Sequence, residues 1–213
     1  MTTNDIPRPR FARMYLKAGP RADRRGAADH RRRLLEGLAG RVVEIGAGNG
    51  LNFAHYPASV TEVLAIEPEP TLRAAAVDAA ADAPVHVDVR DGAADRLPLS
   101  DGEMDAAVAS LVLCTVPDQA RALAELHRVL RPGGELRFYE HVIPHSQPKR
   151  ALFQLADHSG LWPAIGGGCH PARDTAAAIE AAGFTIERCE RFDFRAGTLE
   201  PNVPHLLGIA RRT

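Results

Sequence analysis

The hydrophobic positions of the chain follow two different periods in turn along most of its length. Short apolar runs bounded by glycine or polar residues are typical of buried strands, and they occur at residues 41–45, 62–66, 85–89, 104–113 and 135–142. Stretches with apolar residues three and four apart predict helices, at residues 24–38, from residue 51, and at 70–81, 120–130, 148–161 and 173–182. Residues 185–194 and 205–211 are predicted to form a C-terminal antiparallel pair of strands. Strands that alternate with helices indicate an α/β fold, an open and mostly parallel sheet with helices on both faces.

The N-terminal region breaks this pattern. Residues 1–22 are polar and marked by prolines, which predicts a flexible arm that orders over a ligand. The helix that follows carries Arg31-Arg32-Arg33, and such a charge run is typical of a solvated helix face. Without repeats or a linker, the chain is predicted to be a single domain over residues 1–213. Residues 1–40 form its arm and first helix, a candidate lid, and residues 41–213 its catalytic core.

Composition narrows the possible partners and the compartment. The chain has 213 residues, 45% of them hydrophobic and 25% charged, which is ordinary for a globular domain. A net charge of -1 favours neither nucleic acid nor an anionic membrane, and the N-terminal region has no apolar run of the length that a membrane span needs. Three widely spaced cysteines argue against a disulfide framework and favour a reducing, cytoplasmic compartment. We expect a small-molecule substrate and no nucleic acid, membrane anchor or obligate protein partner.

A glycine loop carries the strongest chemical pattern. Glu44-Ile45-Gly46-Ala47-Gly48-Asn49-Gly50 follows the first strand, where glycines let the backbone turn sharply and approach a ligand. The spacing G-x-G-x-G differs from the dinucleotide pattern G-x-G-x-x-G, because Leu51 occupies the place of the last glycine. Glu67 ends the second strand about 20 residues later, where a carboxylate can accept both hydroxyls of a ribose. A nucleoside site is predicted. The loop spacing and the lack of a phosphate-binding lysine or arginine favour S-adenosylmethionine over NAD.

The loop, Glu67 and Leu130-Arg131-Pro132-Gly133-Gly134 resemble the landmarks of class I S-adenosylmethionine-dependent methyltransferases over roughly residues 40–142. The resemblance implies a Rossmann-like, seven-stranded, mostly parallel sheet with an antiparallel C-terminal hairpin, and S-adenosyl-L-methionine as cofactor. The expected cofactor-binding residues are Glu44, Gly46, Ala47, Gly48, Asn52, Glu67, Pro68, Gly92, Ala93, Ala94 and Leu111. For Asn52, a hydrogen bond to the methionine end of the cofactor and a role at a helix start are both open. Many relatives have an acidic residue at position 93 that holds the adenine amino group. Here Asp91 or backbone groups are the alternatives.

A narrower resemblance covers nearly all of the chain after residue 40. The segments 101–105, 111–114, 140–142, 168–169 and 204–205 resemble the methyltransferase-like proteins that methylate alkyl thiols. This resemblance implies a free thiol as methyl acceptor. Animal members of that group carry an apolar N-terminal anchor that this sequence lacks, so a soluble enzyme is expected. An oxygen, nitrogen or lipid head-group acceptor, or a nucleoside-binding regulator without catalysis, are the alternatives.

Methyl transfer is an in-line displacement in which the protein mainly aligns the nucleophile and excludes water. A thiol, with a pKa of about 8.5, needs only a weak base or an electropositive pocket. His141, directly after the fifth strand, is the first candidate for a base or orienting group, His205 is the second, and Glu140 is expected to fix the imidazole tautomer. Substrate contacts are expected from Tyr15, Cys114, Cys169 and His170. No metal site is predicted, because His145, His158, Cys169 and His170 are irregularly spaced.

Overall fold

The computed structural model describes residues 8–144, 146–160, 162, 167–197 and 202–213. Its strands are β1 Gly40–Ile45, β2 Val60–Ile66, β3 Val87–Arg90, β4 Met104–Ser110, β5 Leu130–His141, β6 Phe184–Phe194 and β7 Val203–Arg212. They form one seven-stranded sheet in the order β3-β2-β1-β4-β5-β7-β6. The strands β1 to β5 are parallel, and β7 runs antiparallel to both β5 and β6. The predicted Rossmann-like α/β fold with a reversed C-terminal hairpin is confirmed.

Six α-helices have described bounds: α1 Pro9–Ala22, α2 Ala28–Leu35, α3 Pro70–Ala80, α4 Gln119–Val129, α5 Gln147–His158 and α6 Thr175–Ala181. Carboxylates cap the N-termini of α3, α4 and α6, where Glu69, Asp118 and Asp174 each accept a backbone N–H of the first turn. Most predicted bounds agree with these to within a few residues. The predicted end of α5, residue 161, lies outside the described residues. Over the part of the chain that is described, no helix is both long and apolar enough to cross a bilayer.

Alternate strand residues face two separate hydrophobic clusters, one on each side of the sheet. Val43 and Ile45 of β1 belong to the cluster that α4 and α6 cover. Val42 belongs to the other, together with Leu35 of α2 and Ala76 of α3. Because both faces of the sheet are buried, the parallel strands read as continuous apolar runs. The expectation of helices on both faces is confirmed.

Two secondary-structure predictions for the N-terminal half are wrong. The α-helix predicted to begin at residue 51 is absent. The chain instead makes a turn there, followed by a single 3-10 turn, Phe53–His55. Tyr56 is extended, with φ -65° and ψ 130°. The ring of Pro57 disfavours helical backbone angles at the residue before it, so the chain cannot continue from the 3-10 turn into an α-helix. The described part of the arm is the helix α1 rather than a flexible segment, and it buries Ala12 and Gly19. Residues 1–7 lie outside the described residues.

Candidate functional site

The glycine loop follows β1 at the carboxyl edge of the parallel strands, where ligands bind in open α/β sheets. Gly46, Gly48 and Gly50 have φ of 61°, 59° and 76°, in a region that is costly for residues with a Cβ. A Cβ at Gly46 would lie 2.3 Å from Cγ2 of Val112. The glycine loop therefore packs directly against the loop that follows β4, and Ala47 between the glycines is buried.

Glu67 joins the end of β2 to the glycine loop. Its Oε2 accepts the N–H of Gly48 at 2.8 Å, and its Oε1 accepts the N–H of Glu69 at 2.9 Å. Burial raises the pKa of the Glu67 carboxyl, and the two backbone N–H groups oppose that rise. A carboxylate has about four lone-pair sites, so Glu67 keeps capacity to accept ribose hydroxyls while it holds the loop.

Two buried acceptors beside Glu67 show that this edge fits a nucleoside with donor groups. Among the described residues, Oδ1 of Asn49 and Oε1 of Glu69 are the buried side-chain atoms without a hydrogen-bond partner. Buried polar atoms are almost always paired in native proteins. S-adenosylmethionine carries ribose hydroxyls and an ammonium group that can donate to such acceptors. The residues present therefore fit the cofactor that the sequence predicts.

The predicted cofactor-binding residue Pro68 lies in the loop after β2, and those of the predicted adenine-binding stretch, Gly92, Ala93 and Ala94, lie in the loop after β3. Asp91, the alternative carboxylate for adenine, is already paired: its Oδ1 accepts from Nη1 of Arg73 at 2.9 Å. The same nitrogen donates to the backbone oxygens of Glu67 and Pro68 at 2.8 and 3.0 Å. The hydrogen bond from Arg73 uses Oδ1 of Asp91, whose side chain is exposed, so Asp91 and backbone groups of residues 92–94 both stay alternatives for the adenine contact.

Glu44 and Asn52 lie in a buried network that braces the glycine loop from behind. Glu44 accepts from Nδ2 of Asn52 at 2.8 Å and from the hydroxyl of Tyr56 at 2.6 Å, and burial raises its pKa to about 7. Oδ1 of Asn52 accepts from Arg31 at 3.0 Å. Both ends of the Asn52 amide thus make hydrogen bonds within the protein, and its contact with the cofactor stays a prediction. Arg31 is only 4% exposed and pairs with Asp23, so the prediction that it is solvated is wrong.

The loop after β4 is shaped by Glu140. The strand ends at Ser110, three residues earlier than predicted, because Leu111 turns the chain with a φ of 58°. Both carboxylate oxygens of Glu140 accept backbone N–H groups, those of Val112 at 3.0 Å, Leu113 at 2.8 Å and Cys114 at 3.1 Å. Burial raises the pKa of Glu140 well above its usual range, and these N–H groups oppose the rise. Glu140 is thus a positioning residue for the loop, which corrects its expected role as partner of the His141 imidazole.

This loop brings Cys114 beside two other predicted site residues. Nδ1 of His141 lies 3.7 Å from Sγ of Cys114 and 3.4 Å from Sγ of Cys169, and the three atoms all lie within 4.8 Å of one another. The hydrogen bond to Cys169 and burial raise the pKa of the Cys114 thiol. Two thiols and an imidazole are a donor set that binds metal ions, a grouping that residue spacing along the chain does not predict. His145, one of the irregularly spaced residues named above, lies outside the described residues.

Two other predicted histidines make contacts within the protein. Nδ1 of His205 donates to the backbone oxygen of Val203 at 2.8 Å, and its ring lies 4.5 Å from that of His141. Burial and the nearby His141 lower the pKa of His205 to about 2, which makes its imidazole a weak base. Nδ1 of His170 lies 2.7 Å from Oδ1 of Asp157. His170 therefore joins its loop to α5, and its contact with the substrate stays a prediction.

Helix α1 lies against the glycine loop and against the loop that contains Gly167. The ring of Tyr15 stands 3.3 Å from where a Cβ of Gly48 would be, and the ring of Phe11 fills the space beside Gly167. Nη1 of Arg8 donates to the backbone oxygen of Gly167 at 2.8 Å. Residues 8–15 thus contact the glycine loop at Gly48 and the loop that carries Cys169 at Gly167, and their role as a lid stays a prediction.

Comparison with known proteins adds a family and a fold match. A family model described as a methyltransferase domain matches residues 43–138. The chain is 36% identical over 182 residues to thiol S-methyltransferase TMT1B of Mus musculus, covering 83% of this chain and 73% of that protein. It is 32% identical over 173 residues to thiol S-methyltransferase TMT1A of Homo sapiens, covering 79% and 69%. The solved structure of an S-adenosylmethionine-dependent methyltransferase from Mesorhizobium loti matches with a TM-score of 0.63 at 23% identity, over 88% of this chain and 99% of that one.

Proposed function

Because this chain belongs to the class I S-adenosylmethionine-dependent methyltransferases and acts on small molecules, we propose that its methyl acceptor is a free thiol. The observation that carries the proposal is the 36% identity over 83% of the chain to a relative named as a thiol S-methyltransferase. Since a match of that extent includes most of the site, it bears on the acceptor side as well as on cofactor binding.

The predicted catalytic residues favour a methyl acceptor that loses its proton easily. S-adenosylmethionine supplies a methyl group activated by its sulfonium centre. A thiol has a pKa of about 8.5 and needs little help to lose its proton, whereas an alcohol needs a strong base. His205, with its pKa lowered to about 2, is a weak base, and Glu140 is fully buried and accepts three backbone N–H groups of the loop after β4. In this proposal His141 orients the acceptor sulfur, and α1 keeps water from the cofactor bound at the glycine loop.

A reducing environment follows from the same chemistry. Cys114, Cys169 and Cys189 are free thiols, and a thiol substrate persists only where thiols are kept reduced. We therefore propose that the enzyme works in the cytoplasm. Fractionation of the native host, followed by immunodetection, tests this separately from the reaction.

The acceptor is tested with sets of compounds that share one carbon skeleton and differ only in a thiol, hydroxyl or amino group. The purified chain is incubated with S-adenosylmethionine, and both S-adenosylhomocysteine and the methylated product are measured by mass spectrometry. We expect thioethers from the thiols at rates at least about tenfold above those for the matched alcohols and amines. Turnover of alcohols, phenols or amines without turnover of thiols contradicts the proposal. Cofactor binding without turnover of any compound contradicts it as well and favours a regulator.

A further inference from the structure

We propose that Cys114, His141 and Cys169 bind a thiophilic divalent metal ion, with Zn²⁺ as the expected ion, and that the acceptor thiol occupies its fourth position. The second half of this inference rests on the proposed function. The first half, the metal site, stands on the geometry of the three side chains alone.

Both nitrogen–sulfur distances in the cluster match those of a tetrahedral zinc site. With Zn–S of about 2.3 Å and Zn–N of about 2.05 Å, tetrahedral angles place the nitrogen about 3.6 Å from each sulfur. Nδ1 of His141 lies 3.4 Å from Sγ of Cys169 and 3.7 Å from Sγ of Cys114. Two cysteine sulfurs and one imidazole are ligands that zinc prefers. Both sulfurs are buried, so the ion would be held in a medium that screens its charge weakly.

The loops that carry the two cysteines are held in place by contacts outside the cluster. Glu140 accepts the backbone N–H of Cys114 at 3.1 Å. The N–H of His170, next to Cys169, donates to the backbone oxygen of Cys114 at 2.7 Å and so joins the two loops. Nη1 of Arg173 donates to the backbone oxygen of Leu113 at 2.7 Å. Such supporting contacts fix ligand geometry and raise metal affinity.

Three protein ligands leave one tetrahedral position for a substrate, as in catalytic zinc sites. The cluster is close to the glycine loop, where the cofactor is expected to bind, because Val112, two residues before Cys114, packs against Gly46 of that loop. A thiol that coordinates the metal loses its proton to water and binds as a thiolate. That thiolate sulfur forms a new bond to the methyl carbon, the bond from methyl to the sulfonium sulfur breaks, and its electron pair stays on S-adenosylhomocysteine. The metal keeps its oxidation state, and the neutral thioether, a weaker ligand, leaves.

The metal site is tested on the full chain, freed of metal by a chelator and kept in a phosphine reductant. We expect the wild type to bind one equivalent of Zn²⁺ and to give a near-ultraviolet thiolate-to-metal band with Co²⁺. Cys169→Ser should lower the Zn²⁺ affinity at least about hundredfold and weaken the Co²⁺ band, and His141→Gln should shift that band. Cys189→Ser is the matched control, because Cys189 is exposed on β6, and it should behave as the wild type. Binding of S-adenosylhomocysteine reports whether each variant is folded.

The outcomes separate this inference from the proposed function. Equal Zn²⁺ affinity in the wild type and Cys169→Ser, or no stoichiometric binding by the reduced wild type, overturns the metal site. If the metal-free chain methylates thiols as fast as the Zn²⁺-loaded chain, the metal has no part in the reaction, and the proposed function stands. If Zn²⁺ binds through the three residues but only alcohols or amines are methylated, the proposed function is wrong and the fourth position does not hold a thiol.

Discussion

Glu67 is assigned two roles, which one substitution removes together and a second ligand separates. Its carboxylate accepts the N–H groups of Gly48 and Glu69 at 2.8 and 2.9 Å, and it is expected to accept the ribose hydroxyls of the cofactor. A hydrogen bond to a charged group is worth about 1.5–3 kcal/mol. For Glu67→Ala we therefore expect the affinity for S-adenosylhomocysteine to fall by roughly 10- to 160-fold. The free energy of unfolding should also fall, by about 1–3 kcal/mol for each backbone N–H that is left buried without an acceptor.

Isothermal titration with two ligands distinguishes the ribose contact from the loop contact. S-adenosylhomocysteine is compared with its analogue that lacks both ribose hydroxyls, in the wild type and in Glu67→Ala, as a thermodynamic cycle. The wild type should bind the analogue more weakly by the same factor, and the variant should hardly distinguish the two ligands. Glu62→Ala, at the opposite end of β2 with its side chain 41% exposed, is the control. An unchanged titration curve, or an equal loss for both ligands, would refute the ribose assignment.

Three further substitutions test the site. The pKa of Glu44 rises from 4.5 to about 7 on folding, so its ionisation should lower the free energy of unfolding of the wild type by about 3 kcal/mol, relative to Glu44→Gln, as pH rises from 4.5 to above 7. Glu44→Gln should lack this loss in urea unfolding, and parallel pH profiles would contradict the buried carboxyl. His205→Asn keeps a donor for the oxygen of Val203 and should leave the pH profile of kcat/KM unchanged, whereas loss of an ionisation near neutrality would restore His205 as a base. Tyr15→Ala uncovers Gly48 and should raise the KM for S-adenosylmethionine by about tenfold, the effect of about 1.4 kcal/mol. An unchanged KM would show that α1 does not cover the cofactor.

Most of the secondary structure, and the pairing of the glycine loop with Glu67, could be predicted from local patterns. Buried strands need apolar residues on both faces, and a glycine loop with Glu67 at the next strand end is a short-range arrangement that the chain order itself brings together. The prediction failed where one local sequence pattern fits either a buried or a solvated helix face. Arg31 is three and four residues before Leu34 and Leu35, on the buried face of its helix, but its charge and its arginine neighbours indicated a solvated face.

The acceptor side was decided by packing between distant segments. Cys114, His141 and Cys169 are 27 and 28 residues apart along the chain, yet their donor atoms meet, because β4 and β5 are neighbours and the loop after α5 returns to them. The charge state of His205 and the engagement of Glu140 are likewise set by what surrounds them. By itself, the sequence determined the fold class and the methyl donor, since both depend on periodicity and short spacing. Only the tertiary structure decided which side chains share the acceptor site, because burial and long-range contact leave no periodic trace in the sequence.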